Sequence, residues 1–169
     1  MHSNSSAEQI LLELILRSRL RDMERLVSVS DAERRAMLHR VFAALRSGWY
    51  LVGAGPYTSR LIALGAEEVV IGRYASPTEE PAGDVIDYDV ADAMYLHPVE
   101  VSRTHCAFRC LSADEGDCAA VKDRQSRLGT YHNGARLEPN GGWTMLSHGD
   151  VVSLGPSGIS SYVVWKVQA

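Results

Sequence analysis

The sequence predicts a mainly β protein: an antiparallel two-sheet β-sandwich preceded by an N-terminal α-helical hairpin. Three observations lead there. Apolar residues recur at helical spacing only before residue 48. From Trp49 onward the apolar runs are short and punctuated by Gly, Pro, Asn and Asp, with no helical stretch between them. Glycine, 14 residues in all, clusters in that second part, as tight turns require. Many short strands with turn signals and no crossover helices indicate a sandwich.

The first helical segment carries Leu12, Leu16, Leu20, Met23 and Val27 at steps of three or four, with Ile10, Leu11, Leu14 and Ile15 adding apolar surface elsewhere. A helix apolar on more than one face needs more than one partner surface. Ser28 to Ser30 breaks it, and Ser30 with Glu33 fits a capping box that opens a second helix. That helix is expected to bury Met37, Leu38, Val41, Phe42 and Leu45 while Glu33, Arg34, Arg35, His39 and Arg40 stay wet. Ser47-Gly48 ends it. Residues 1–48 therefore read as an extension too small to fold alone, which either docks on its own sandwich or forms a homodimer through its helices.

Ten β-like runs follow: Trp49–Gly53, Leu61–Leu64, Val69–Gly72, Ala93–Leu96, His105–Leu111, Ala119–Lys122, Tyr131–Asn133, Trp143–Met145, Val151–Leu154 and Tyr162–Val167. Together they define a second domain, residues 49–169.

At 169 residues and 46% apolar, the chain holds one ordinary domain plus a small appendage. The net charge of −4 divides unevenly. Residues 1–48 carry eight Arg against six acids, and the remainder carries nine Lys or Arg against fifteen acids. No long basic stripe is present, so nucleic acid is not an expected partner. Cys106, Cys110 and Cys118 lack metal-ligand spacing and read as free thiols packed as small hydrophobes. No signal-peptide pattern is read in residues 1–7, and Ile10–Leu16 is too short to span a bilayer. The expectation is a cytoplasmic or nuclear protein of a reducing compartment, without a membrane partner. With no Gly-rich nucleotide loop, metal-ligand cluster or Ser/Cys–His–acid arrangement, neither enzyme activity nor a cofactor is expected.

Four motifs carry the chemistry: Ile71-Gly72-Arg73; Val101-Ser102-Arg103-Thr104-His105; Asp123 through Arg127-Leu128-Gly129-Thr130 to Asn133-Gly134; and His148-Gly149-Asp150. Arg73 follows a glycine at a strand end, where its guanidinium can face outward and offer paired donors to an oxyanion. Charge-assisted bonds of this kind contribute roughly 1.5–3 kcal/mol each. Ser102 supplies a hydroxyl and a backbone N–H on a turn, and Arg103 adds charge beside it. His105, a lone His without a nucleophile or carboxylate partner, reads as scaffold that holds the loops together. Asp123 and Asp150 read as turn and cap acceptors.

The order and spacing of these motifs over residues 49–169 resemble the forkhead-associated (FHA) domain, a phosphothreonine-reading β-sandwich of the SMAD/FHA-like type. The resemblance implies that Arg73 and Ser102 grip the phosphate of a phosphothreonine-containing protein or peptide. Gly72, His105, Gly129, Thr130 and Gly134 would hold loop geometry. In the family pattern an asparagine before the Gly-Thr pair grips the peptide backbone; here that position is Leu128, which can neither donate nor accept. Arg127 stands where the family often has a phosphate-contacting Thr or Ser, and could supply a charged contact instead. Asn133, in the following Asn-Gly turn, is expected to stabilise loop geometry and is a weaker candidate for ligand contact. Losing the amide clamp should cost about 1 kcal/mol.

The segment 74–100 holds Glu79, Glu80, Asp84, Asp87, Asp89, Asp92 and Glu100 without Lys or Arg. It reads either as a solvated loop or as a filter that repels acidic peptides. Two functions follow: a non-enzymatic phosphothreonine-binding adaptor in Ser/Thr kinase signalling, or an FHA-like scaffold or oligomerisation protein that binds independently of phosphorylation.

Overall fold

A computed structural model describes residues 30–55, 57–58, 60–74, 85–91, 98–112 and 117–168. The first expected helix, with the homodimer expectation attached to it, lies outside the described residues. So do the expected strand Ala93–Leu96 and the acids Glu79, Glu80, Asp84 and Asp92. The chain divides into two compact units, Met1–Leu45 and Arg46–Ala169.

In the first unit, helix α1 runs Asp31–Ala43. Ser30 caps it: its hydroxyl accepts from Glu33 N at 3.3 Å, and the Glu33 carboxylate accepts from Ser30 N at 2.9 Å. This is the reciprocal box expected from the sequence. The apolar stripe departs from expectation, since Met37, Leu38 and Val41 are 55%, 52% and 52% exposed.

The second unit contains eleven described strands: β1 (Gly48–Gly53), β2 (Leu61–Leu64), β3 (Val69–Gly72), β4 (Tyr88–Asp89), β5 (Cys106–Leu111), β6 (Cys118–Asp123), β7 (Thr130–His132), β8 (Ala135–Arg136), β9 (Thr144–Leu146), β10 (Val151–Leu154) and β11 (Ser161–Val167). They form two sheets, ordered β2-β1-β11-β10-β7-β8 and β4-β3-β5-β6-β9. This is the expected sandwich, with one parallel pair, β3 and β4, in register Ile71 to Tyr88.

Period-two burial builds the core. Ile62 and Leu64 on β2, and Val152 and Leu154 on β10, point inward while their neighbours are more exposed. They meet Ile71, Cys106, Phe108 and Val121 of the opposite sheet. Phe108 and Tyr162 pack edge to face at 6.4 Å between ring centroids. Each fully buried side chain of this size contributes about 1.5–3 kcal/mol of transfer free energy. Cys106 is fully buried, whereas Cys110 and Cys118 are half-buried, and all three are free thiols. Burial pushes the Cys106 thiol well above its ordinary range.

Register decides where the loops emerge. Ile71 pairs with Cys106, and Cys106 pairs with Asp123, so the end of β3, the start of β5 and the end of β6 share one row. The segments carrying Arg73, Ser102 to His105 and Arg124 to Gly129 therefore leave from one end of that sheet.

Candidate functional site

Gly72 lets two of those segments touch. A Cβ at this position would lie 1.9 Å from the Arg103 carbonyl oxygen, so any other residue would push the 101–105 turn away. The turn is laced to β3 by His105 N donating to Ile71 O at 2.9 Å and Arg73 N donating to Ser102 O at 3.2 Å.

His105, fully buried, ties the second loop to the third. Its Nδ1 accepts from Ser102 N at 3.0 Å, so the ring proton sits on Nε2, 3.1 Å from the Gly129 carbonyl oxygen. Burial pushes its pKa down, opposed by the Gly129 carbonyl and by the charges of Asp123 and Glu100. The ring is thus a neutral brace with both nitrogens in use.

Below it, the buried Asp123 carboxylate organises the third loop. It accepts from Ser126 N at 3.0 Å, from the Ser126 hydroxyl, and from Thr130 Oγ1 at 2.6 Å. Gln125 takes φ 58°, and Gly129 takes φ 92° where only glycine is comfortable.

Ser102 is the meeting point of the three segments. Its Oγ accepts from Arg127 N at 2.9 Å. Among the described residues the Ser102 O–H has no acceptor, which leaves one donor available. Arg73 is steered by Nε donating to Val101 O at 2.8 Å and Nη1 donating to Tyr74 O at 3.2 Å. Arg127, exposed, donates from Nη2 to Val99 O at 3.1 Å. Arg103 is exposed beside Ser102, and Leu128 is 39% exposed at the loop tip. The three loops thus carry guanidinium and hydroxyl donors suited to an oxyanion.

Asn133 is committed elsewhere. At φ 49° it opens the turn that Gly134, φ 84°, completes. Its Nδ2 donates to Asp150 Oδ1 at 2.8 Å and its Oδ1 accepts from Val151 N at 2.8 Å. Asp150 also pairs with His132 Nε2 at 2.8 Å and accepts from Ser147 N at 2.7 Å. Its carboxyl is held below the usual range: partial burial raises it, but the bonds from Ser147, Asn133 and His132 outweigh that.

The described acids of segment 74–100 act as braces rather than as a free acidic loop. Asp87 accepts from Val70 N at 2.7 Å and Asp89 from Tyr74 N at 3.0 Å. Glu100 accepts from Ser157 N at 3.2 Å and from the Ser157 hydroxyl. Two features escaped the sequence reading. One is the extent of the Asp123 hub: its role as a turn acceptor was legible, but its burial and its bond to Thr130 were not. The other is Arg136, whose side chain lies against Gly129; the Asn-Gly hairpin signal could have found it. A cavity of about 610 Å³ lined by Trp49, Leu64, Cys110 and Lys166 lies at the other end of β5, away from these loops.

A family model described as FHA domain matches residues 69–155. E3 ubiquitin-protein ligase rnf8-B of Xenopus laevis is 34% identical over 107 residues, 63% of this chain and 17% of that protein. The chain therefore aligns with about a sixth of that relative's length. The solved MEK1 FHA domain superposes with a TM-score of 0.52 at 25% identity, covering 76% of this chain and 97% of that one. The MEK1 FHA domain in complex with the HOP1 pThr318 peptide gives 0.50 at 22%, covering 73% and 100%.

Proposed function

This chain belongs to the FHA domain family, and on that premise we propose that residues 46–169 form a phosphothreonine-dependent peptide-binding module acting as an adaptor in Ser/Thr kinase signalling. Arg73 and Ser102 hold the phosphate, and Arg103 and Arg127 add positive charge around it. The observation that carries this reading is the bond from Arg127 N to Ser102 Oγ. It occupies one lone pair of the hydroxyl and leaves the O–H available to donate to an incoming acceptor. The solved relative whose FHA domain is bound to a pThr peptide supports the same ligand class.

The role is binding, not catalysis. Ligase activity belongs to the whole of rnf8-B, of which only a small part aligns here. Phosphate is gripped by preformed charged donors, and each is worth roughly 1.5–3 kcal/mol.

A second reading, phospho-independent association, is favoured by Leu128, which presents 39% of its surface where the family clamps the peptide. The two separate in one experiment. A peptide pool with a central phosphothreonine, and the same pool unphosphorylated, are titrated against wild type, Arg73→Ala and Ser102→Ala. Adaptor function predicts binding of the phosphorylated pool alone and a loss of at least about tenfold in each variant. Equal retention by wild type and both variants would favour the scaffold.

A further inference from the structure

We propose that Arg136 is the peptide clamp that the loop carrying Leu128 lacks. The inference rests on the phosphothreonine reading and names a residue that the motif pattern does not include.

The Asn133-Gly134 turn folds β8 back on β7 so that Arg136 stands opposite Tyr131, and Leu137 N donates to Thr130 O at 2.8 Å. That register brings the Arg136 side chain onto the backbone of Gly129. A Cβ built on Gly129 would lie 2.3 Å from Arg136 Nε, 3.0 Å from Cζ and 3.1 Å from Cδ. The guanidinium thus occupies the space that the missing side chain leaves, immediately after Leu128 in the chain. Gly129 itself cannot drift, since its carbonyl is held by His105 Nε2 and by Gly155 N at 3.0 Å. Two residues back, Arg127 N holds the Ser102 hydroxyl. Arg136 is therefore anchored to the same loop that reaches the proposed phosphate site.

The chemistry suits the missing role. Arg136 is exposed, and among the described residues its guanidinium has no hydrogen-bond or ion-pair partner. Five N–H donors in a planar fork can engage the main-chain carbonyl oxygens of an extended peptide. An asparagine amide at position 128 would offer donors to the same carbonyls. Because carbonyls are common to every sequence, the clamp acts on peptide length rather than on side-chain identity. Phosphate lacking a peptide chain would not feel it.

The test compares two probes on the full chain: a labelled peptide pool with one central phosphothreonine between random flanks, and phenyl phosphate as a phosphate without a backbone. Arg136→Ala should weaken the pool about tenfold and leave phenyl phosphate unchanged. Leu128→Asn in the Arg136→Ala background should recover most of that loss. Arg73→Ala should weaken both probes. Unchanged pool binding in Arg136→Ala, or an equal loss on both probes, overturns the clamp alone. Wild type that binds the phosphorylated pool no better than the unphosphorylated one overturns the phosphothreonine reading and the clamp with it. Arg136→Gln, with thermal unfolding measured alongside, separates a folding defect from lost contact: an unfolding midpoint lowered in step with affinity counts against the clamp.

Discussion

The buried ring of His105 joins two loops of the proposed site, its Nε2 donating to the Gly129 carbonyl oxygen at 3.1 Å while its Nδ1 accepts from Ser102 N. His105→Ala removes both bonds, leaves the half-buried Ser102 N–H without its acceptor and the Gly129 carbonyl oxygen with Gly155 N alone, and opens a void. The expected loss of stability is about 2–4 kcal/mol. Denaturant unfolding reads it, and a loss below about 0.5 kcal/mol would contradict the bracing role.

The same ring sets a pH dependence. Its pKa is lower in the folded protein than its ordinary 6.5, chiefly through burial. As pH falls through 6.5 the unfolded chain takes up a proton that the folded chain resists, so this contribution is complete above 6.5 and is lost on acidification toward the folded value. Urea midpoints should fall between about pH 7.5 and pH 5.5 in wild type. His105→Gln should show a flatter profile over that interval. Identical slopes would sink the assignment.

Gly72→Ala should damage the site without touching a ligand. The added carbon would meet the Arg103 carbonyl oxygen at 1.9 Å, so the Ser102 turn must shift away from β3. A destabilisation of about 1–3 kcal/mol is expected, with phosphopeptide affinity falling further than stability alone explains. Wild-type affinity in a folded Gly72→Ala protein would show that the close approach is dispensable.

Asn133→Ala tests the opposite case. The Asn133 amide is bonded to Asp150 and Val151, so its loss should cost about 1–2 kcal/mol of stability. Affinity of the folded variant for the phosphopeptide pool should stay within about twofold of wild type. A tenfold affinity loss with unchanged stability would make Asn133 a ligand contact instead.

Much of the sandwich was legible because its strands are long enough to show alternation, as in Leu61–Leu64 and Val151–Leu154. The two-residue strands β4 and β8 were not, since two residues carry no period. Gly72 and Gly129 announced tight backbone, but not what each approaches. The engagement of Asn133 by Asp150 joins residues 17 positions apart, which no local pattern encodes. Asp87, Asp89 and Glu100 looked like an acidic loop because sequence shows their charge and not the backbone N–H groups they accept from. The exposure of Met37, Leu38 and Val41 shows the converse limit: an apolar stripe states a preference for burial, and the preference alone supplies no covering surface.

Ser102 and Arg73 are proposed to receive a phosphate with Arg127 beside them. Backbone-amide NMR of the full chain, titrated with the phosphothreonine peptide pool and then with its unphosphorylated twin, tests it directly. Arg73, Ser102, Arg103 and Arg127 should shift most with the phosphorylated pool and hold still with the other. Shifts of equal size from both pools, or shifts centred on Trp49 and Lys166 at the far end of the sandwich, would contradict it.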